Sequence, residues 1–233
     1  MLIAGYQPLS LIDYPGVICS VIFTQGCPFR CAYCHNPELI PAKPLDTTRM
    51  LSEQTVLESI KKRANFLEGV CITGGEPTMQ ADLIEFIKKI RALGLRVKLD
   101  TNGVHPRLIE QTIKEKLVDF FAMDIKHTWK HYGDIIGLRQ QNVINNCRKT
   151  FDLIQASNIS HEFRTTVYST IHNADDLKAI ARQLHAGESY ALQDLRYEKT
   201  LVSNLAQSAR IDLEAVAASI REDQPGLHIS VRA

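Results

Sequence analysis

The sequence predicts an α/β fold built on a parallel sheet, and three observations carry that prediction. Strand-like runs alternate with helical periodicities along most of the chain, the order that puts helices outside a parallel sheet. The first long run, Val17-Ile18-Cys19-Ser20-Val21-Ile22-Phe23-Thr24, is almost continuously apolar, as a strand covered on both faces must be. The polar and glycine-bearing stretches fall at successive strand ends, and in parallel α/β barrels the loops after the strands meet on one face. Six strand–helix units, fewer than the eight of a closed barrel, give a partial (β/α)6 barrel of TIM type, and 233 residues suit one such domain.

Taken in order, residues 2–16 read as a short strand or hairpin ending at the turn Asp13-Tyr14-Pro15-Gly16. After Val17–Thr24 and a cysteine-bearing loop, residues 37–51, with Pro37, Pro41 and Pro44, read as a linker. Ser52 is a suitable N-cap for a helix with Val56, Ile60 and Ala64 on one face. Val70–Thr73 is the second strand. From Gln80 the set Leu83, Phe86, Ile87, Ile90, Leu93 marks an amphipathic helix that Gly94 stops. Arg96–Asp100 is the third strand, followed by a helix over 106–116 and a fourth strand, Asp119–Asp124. Residues 127–141 are a polar connection without a clear period, and a helix covers 142–156. Glu162–Val167, a helix over 174–185 capped by Asn173, Tyr190–Leu195, and a last helix with Leu213, Val216, Ala217 and Ile220 complete the pattern. The core of the domain is expected over about residues 10–200, with a C-terminal helix and tail over 201–233.

Apolar residues make up 45% of the chain and charged residues 23%, a soluble globular composition. With 27 basic and 26 acidic residues there is no electrostatic case for nucleic acid or a membrane surface. The N-terminus lacks the pattern of a signal peptide, and no run approaches the ~18 apolar residues of a membrane span. The expected compartment is the cytoplasm, where six cysteines stay reduced. Cys19 and Cys71 fall in apolar strands, and Cys147 shares a helical face with Val143, Phe151 and Ile154. All three are expected in the core.

The other three cysteines form one short loop, Gln25-Gly26-Cys27-Pro28-Phe29-Arg30-Cys31-Ala32-Tyr33-Cys34-His35-Asn36, at the spacing C-x3-C-x2-C. Thiolates suit iron–sulfur clusters, zinc and Cu(I). Three ligands leave one iron of a cubane open to a chelating small molecule. A Cys3His zinc site with His35 is the alternative, although structural zinc usually draws on two separated ligand pairs and adjacent Cys34 and His35 reach one ion with difficulty.

This loop, closing a first strand and carrying an aromatic Tyr33 just before its last cysteine, resembles the cluster loop of radical S-adenosylmethionine (SAM) enzymes. The resemblance implies the radical SAM fold and one [4Fe–4S] cluster on Cys27, Cys31 and Cys34. The fourth iron then binds the amino and carboxylate groups of SAM, and an electron from the reduced cluster cleaves the sulfonium to methionine and a 5′-deoxyadenosyl radical. Gly74-Gly75-Glu76-Pro77 resembles the superfamily's GGE motif: residues without Cβ let a ligand approach the backbone, and Glu76 supports the loop. Leu99-Asp100-Thr101-Asn102-Gly103 and Met123-Asp124-Ile125-Lys126 resemble segments of the glycyl-radical-enzyme activases, whose type member activates pyruvate formate-lyase. In them Asp124 and Lys126 help hold the amine and carboxylate of SAM, as suits a zwitterion. By itself that pair would read as an ordinary surface ion pair. The resemblance places Tyr33 near the adenine, with backbone from Cys34 and His35, and adds Gly74, Gly75, Asp100, Thr101, Ile125 and Arg164 to the cofactor-binding set.

Asp13-Tyr14-Pro15-Gly16 resembles a stretch preceding the cluster in these activases and is either a contact for the partner's glycine loop or a plain turn. The chain departs from pyruvate formate-lyase activases after the sixth strand, where Gln193-Asp194-Leu195-Arg196-Tyr197 replaces a stretch with a SAM-contacting His. Gln193 and Arg196 are the substitutes to test. Residues 35–70 hold no cysteine, so a second cluster is not expected. Compact size and the opening Leu9–Gly16 are most similar to the activating proteins of anaerobic ribonucleoside-triphosphate reductase. The partners so implied are the large subunit of that reductase and flavodoxin or ferredoxin as electron donor. Rivals are activation of another glycyl radical enzyme, a small-molecule or peptide substrate, or a non-enzymatic electron-transfer or zinc protein.

Overall fold

A computed structural model describes residues 1–41, 47–206 and 209–232. Eight strands form one sheet in sequence order: β1 (Ile3–Ser10), β2 (Cys19–Thr24), β3 (Gly69–Gly74), β4 (Arg96–Thr101), β5 (Phe120–Asp124), β6 (Ser160–Val167), β7 (Ser189–Asp194) and β8 (His228–Arg232). β1 pairs antiparallel with β2, and every later pair is parallel. The sheet curls enough for side chains of β4 and β6 to meet over β5, where Arg164 Nη1 lies 3.1 Å from Asp100 Oδ2.

Alternation along the strands sorts the core into two layers. Ile22, Ile72, Val97, Leu99, Phe121, Met123, Phe163 and Leu192 point outward into the large core under the helices. Those helices are α1 (Glu53–Arg63), α2 (Leu83–Arg91), α3 (Pro106–Lys114), α4 (Tyr132–Ile136), α5 (Gln141–Ala156), α6 (Ala174–Ala181) and α7 (Leu213–Asp223). On α2 alone Leu83, Phe86, Ile87 and Ile90 are completely buried, and each such side chain contributes roughly 1.5–3 kcal/mol. The concave face holds a smaller apolar cluster, Tyr14, Val17, Cys19, Val21 and Cys71, on the β2–β3 side. Cys19, Cys71 and Cys147 are buried as expected.

Local signals act where the sequence placed them. Ser52 Oγ accepts from Thr55 N at 3.0 Å at the start of α1, and Asn173 and Asp176 close a reciprocal capping box on α6. Gly94, at φ +79°, ends the α2 segment.

The structure adds two elements to the sequence reading. β8 is a seventh parallel strand beyond the six expected, and α4 lies inside the connection 127–141. The 37–51 segment carries 3-10 turns at Pro37–Leu39 and Thr47–Arg49, while residues 42–46, with Pro44, lie outside the described residues. The helices over 106–116 and 174–185 end early, at Lys114 and Ala181. No described helix is long and apolar enough to cross a membrane.

Candidate active site

Loops at the C-terminal ends of β2 to β6 surround a cavity of about 150 Å³ that opens to solvent. The expected residues Cys27, Cys31, Tyr33, Cys34, His35, Gly74, Gly75, Glu76, Asp100, Thr101, Asp124, Lys126 and Arg164 all line it. Ile125 is the exception. Its side chain is buried in the outer core, its N–H donates to Arg164 O at 2.8 Å and its carbonyl accepts from Thr165 Oγ1 at 2.8 Å. The strand alternation that aims Asp124 and Lys126 inward turns Ile125 out.

The cysteine loop is propped from several sides. Gly26 N–H donates to Leu39 O (2.7 Å) and Cys27 N–H to Ile40 O (3.1 Å), so the 3-10 turn of 37–39 backs the loop. The buried Gln25 amide spans Glu38 O and Pro41 O at 3.0 and 2.9 Å. Arg30 N–H donates to Ile136 O, which ties α4 to the same loop. Cys27 Sγ accepts from Asn102 Nδ2 at 3.7 Å. Burial pushes the Cys27 thiol up to about 12 and the Cys31 thiol to about 11, so a cationic centre is needed to hold them as thiolates. Cys27, Cys31 and Cys34 line one cavity from one short loop, and soft thiolate donors of this kind fit a [4Fe–4S] cluster.

The loop after β3 needs its glycines. A Cβ on Gly75 would stand 2.2 Å from Gly26 O, and one on Gly74, at φ +118°, 2.3 Å from Thr24 N. Close backbone packing here joins the glycine loop to the cysteine loop. Glu76 is fully buried. It accepts from Thr78 N (3.1 Å), Thr78 Oγ1 (2.5 Å), Thr101 Oγ1 (2.8 Å) and Asn102 N (2.6 Å), which stitches the loop after β3 to the loop after β4. Burial raises its carboxyl pKa, and the four donors limit the rise.

Opposite the cysteines lies a chain of charges. Lys126 Nζ reaches Asp124 Oδ2 at 3.0 Å, Asp124 Oδ1 accepts from Arg164 Nε at 2.8 Å, and Arg164 Nη1 goes on to Asp100. Burial opposes ionisation of Asp124, but Arg164 and Lys126 outweigh it and hold the carboxyl well below the usual carboxylate range. Burial likewise opposes charge on Lys126, and Asp124 outweighs it. Two groups here have hydrogen-bonding capacity to spare: among the described residues Lys126 has Asp124 as its only acceptor, and the buried Tyr33 hydroxyl has no partner.

His35 Nε2 sits 3.1 Å from Arg196 O, and burial lowers the pKa of its ring. His35, Thr166, Gln193, Asp194, Arg196 and Arg232 line an adjoining cavity, so both candidate substitutes for the sixth-strand histidine stand beside the main site. Tyr14 does not. Its ring packs near Gly69, Arg96 and Phe120, the first residues of β3, β4 and β5, at the far end of the barrel from the cysteines. The plain-turn reading of Asp13–Gly16 is the one this placement favours. The sequence reading passed over Asn102, Thr166 and Lys98. The first lay within a quoted motif, and Thr166 follows Arg164 by the strand period of two.

The model of the radical SAM superfamily matches residues 21–184. A candidate glycyl-radical enzyme activating enzyme of Methanocaldococcus jannaschii is 35% identical over 195 residues, 82% of this chain and 79% of that one. The pyruvate formate-lyase-activating enzyme of Clostridium pasteurianum is 35% identical over 135 residues, 54% of this chain and 52% of the relative, so that alignment spans about half the clostridial enzyme. Among solved structures, QueE from Escherichia coli superposes with a TM-score of 0.59 at 17% identity, covering 100% of this chain and 93% of that one. SuiB of Streptococcus suis bound to S-adenosylmethionine gives 0.69 at 14% identity, covering 91% of this chain and 50% of that one. These two likenesses show the fold. The chain belongs to the radical SAM superfamily, whose members use a [4Fe–4S] cluster with S-adenosylmethionine, and within it resembles the glycyl-radical-enzyme activating enzymes.

Proposed function

We propose that this protein activates a glycyl radical enzyme, with the large subunit of an anaerobic ribonucleoside-triphosphate reductase as its target and flavodoxin or ferredoxin as electron donor. When bound, the cluster and SAM supply the 5′-deoxyadenosyl radical that takes a hydrogen atom from a backbone glycine of the target. Cys27, Cys31 and Cys34 hold the iron. Asp124 and Lys126 hold the amino-acid end of SAM, oriented by Arg164. Tyr33 closes the cavity on the nucleoside side, and the Gly74–Gly75 backbone, free of Cβ atoms, lines the floor.

The observation that carries the cofactor reading is the pairing of unspent donors with the charge chain. Lys126 faces the cavity with an ammonium only partly satisfied by Asp124, which suits the carboxylate of a zwitterion. Activation of a glycyl radical enzyme is supported by the named relatives. The choice of reductase rests on the opening Leu9–Gly16, and a pyruvate formate-lyase type target is the second reading because enzymes of that name align with half the chain.

The test incubates anaerobically reconstituted, reduced protein and SAM with each candidate target and looks for a glycyl doublet by electron paramagnetic resonance. A doublet on the reductase supports the proposal. A doublet only on a pyruvate formate-lyase transfers it to the second reading, and SAM cleavage without a protein radical overturns both.

A further inference from the structure

The charge chain does not stop at Arg164. Lys98, on β4, is 2% exposed and is ion-paired with Asp100. Asp100 therefore divides its two oxygens between Lys98 and Arg164. A second branch leaves Arg164 toward Glu162 at 3.9 Å, and Glu162 is held by Arg232 of β8 at 2.6 and 3.3 Å. Four cations and three carboxylates thus alternate down the concave face as Lys126–Asp124–Arg164–Asp100–Lys98, with Glu162–Arg232 attached at the middle.

We propose that Lys98 and Arg232 are positioning residues for the amino-acid end of SAM, acting through Arg164. The proposal rests on the reading that Asp124 and Lys126 hold that end. Arg164 faces three carboxylates and grips Asp124 only because the other two are already served. Lys98 meets half the demand of Asp100, and Arg232 meets most of the demand of Glu162. Without Lys98, Asp100 is a buried carboxylate with one cation left, and it draws Arg164 toward β4. Without Arg232, Glu162 competes for Arg164 from its present 3.9 Å. In either case Asp124 loses its 2.8 Å bond to Nε and turns to Lys126, whose ammonium is then spent within the protein. A buried fold-stabilising pair would have no reason to discriminate among ligands. A positioning role does.

The experiment compares equilibrium binding of SAM and of 5′-methylthioadenosine, which lacks the amino-acid end, to anaerobically reconstituted wild type, Lys98→Met, Arg232→Met and Lys126→Met. Outer-shell groups that orient metal ligands change affinity or activity by roughly 10- to 100-fold, and groups that orient Lys126 and Asp124 are placed at or below the lower end of that scale. Lys98→Met is expected to weaken SAM by about tenfold and Arg232→Met by about threefold, with methylthioadenosine changed less than about twofold in each. Arg232 is 41% exposed on its side chain at the sheet edge, so its variant keeps the test open where Lys98→Met fails to fold. SAM affinity within about twofold of wild type in Arg232→Met, or in Lys98→Met where that variant folds, or equal weakening of both ligands, overturns the proposal. If Lys126→Met loses SAM while these variants do not, the proposal fails and the site reading stands. If Lys126→Met also binds SAM normally, the site reading itself fails and takes the proposal with it.

Discussion

Glu76→Gln is the sharpest test of how the two loops that edge the cavity after β3 and β4 are joined. Oε1 of Glu76 serves three donors, Thr78 N, Thr78 Oγ1 and Thr101 Oγ1, while Oε2 serves Asn102 N–H alone. The glutamine will place its carbonyl where three donors converge and its amide against Asn102, so one charge-assisted bond is lost and one buried N–H goes unpaired. A hydrogen bond to a charged group is worth roughly 1.5–3 kcal/mol. Part of that is offset, because burial already disfavours the ionised carboxyl. The expected net loss is about 2 kcal/mol. Glu76→Leu strips the acceptor from all four donors. The two threonine hydroxyls can rotate toward other acceptors, but the two backbone N–H groups cannot, which sets its cost at about 4 kcal/mol. For a domain of this size each kcal/mol moves the midpoint by roughly 2–4 °C, so Glu76→Gln should melt about 4–8 °C below wild type. Thermal unfolding under argon, at matched iron content, measures both. A Glu76→Gln midpoint within about 1 °C of wild type, or a Leu variant no worse than the Gln variant, would refute this reading of the loop junction.

Further outcomes follow from the same geometry. His172 accepts from Tyr168 N–H at 3.1 Å and donates through Nε2 to Lys126 O at 2.9 Å, a neutral ring that burial takes down to about 4 from 6.5. Because the folded value is depressed, its contribution is full above pH 6.5 and is lost as pH falls toward 4, the loss amounting to roughly 3 kcal/mol; His172→Asn should flatten that stretch of the stability–pH curve, and parallel curves would count against it. His161 behaves in the opposite sense: burial alone would lower it, but Glu188 at 3.1 Å raises it, so the pair stabilises below pH 6.5 and is lost as pH rises through the folded value. The penalty of His161→Gln should therefore be larger by about 1 kcal/mol at pH 5.5 than at pH 8 in urea unfolding, and a pH-independent penalty removes the ion-pair account. Gly75→Ala forces a methyl to 2.2 Å from Gly26 O and should cost roughly 1–3 kcal/mol and lower the iron retained per chain after desalting; wild-type iron and midpoint would show that the loops can part freely.

Most of the frame was legible because its signals are local. Ser52 and Asn173 cap where caps were expected, the period of α2 is strong, and the polar motifs sit at strand ends that a parallel sheet must gather. What escaped lacked a local signal. α4 is five residues long, too short to show a helical period, and it is held by a long-range bond from Arg30 N to Ile136 O. β8 alternates Ile229 and Val231 with Ser230 and Arg232, a faint pattern that acquires meaning only beside β7. Asp13–Gly16 reads in sequence equally as a partner contact or a plain turn, and only Arg96 and Phe120, distant in sequence, decide where Tyr14 packs, at the end opposite the cysteines. Lys98 stands two residues from Asp100 within a strand, and nothing in composition says that such a lysine is buried.

The concave face explains why so many charges tolerate burial. Inward positions of β2 and β3 are filled by Cys19, Val21 and Cys71, as in a barrel packed with apolar layers, while those of β4, β5, β6 and β8 carry Lys98, Asp100, Asp124, Glu162, Arg164 and Arg232. Isolated, each of these would cost several kcal/mol to desolvate. Alternation of sign gives Asp100, Asp124 and Arg164 at least two oppositely charged neighbours each, and the cost falls on the ends of the chain. One end, Arg232, is half in solvent, and another, Lys98, is enclosed against Asp100 with Cys71 Sγ 3.8 Å away. The third, Lys126, opens on the cavity with donors to spare. Its charge is the one that a bound carboxylate can complete, so the arrangement that makes the interior stable is the same one that leaves a cation facing the place where SAM is proposed to bind.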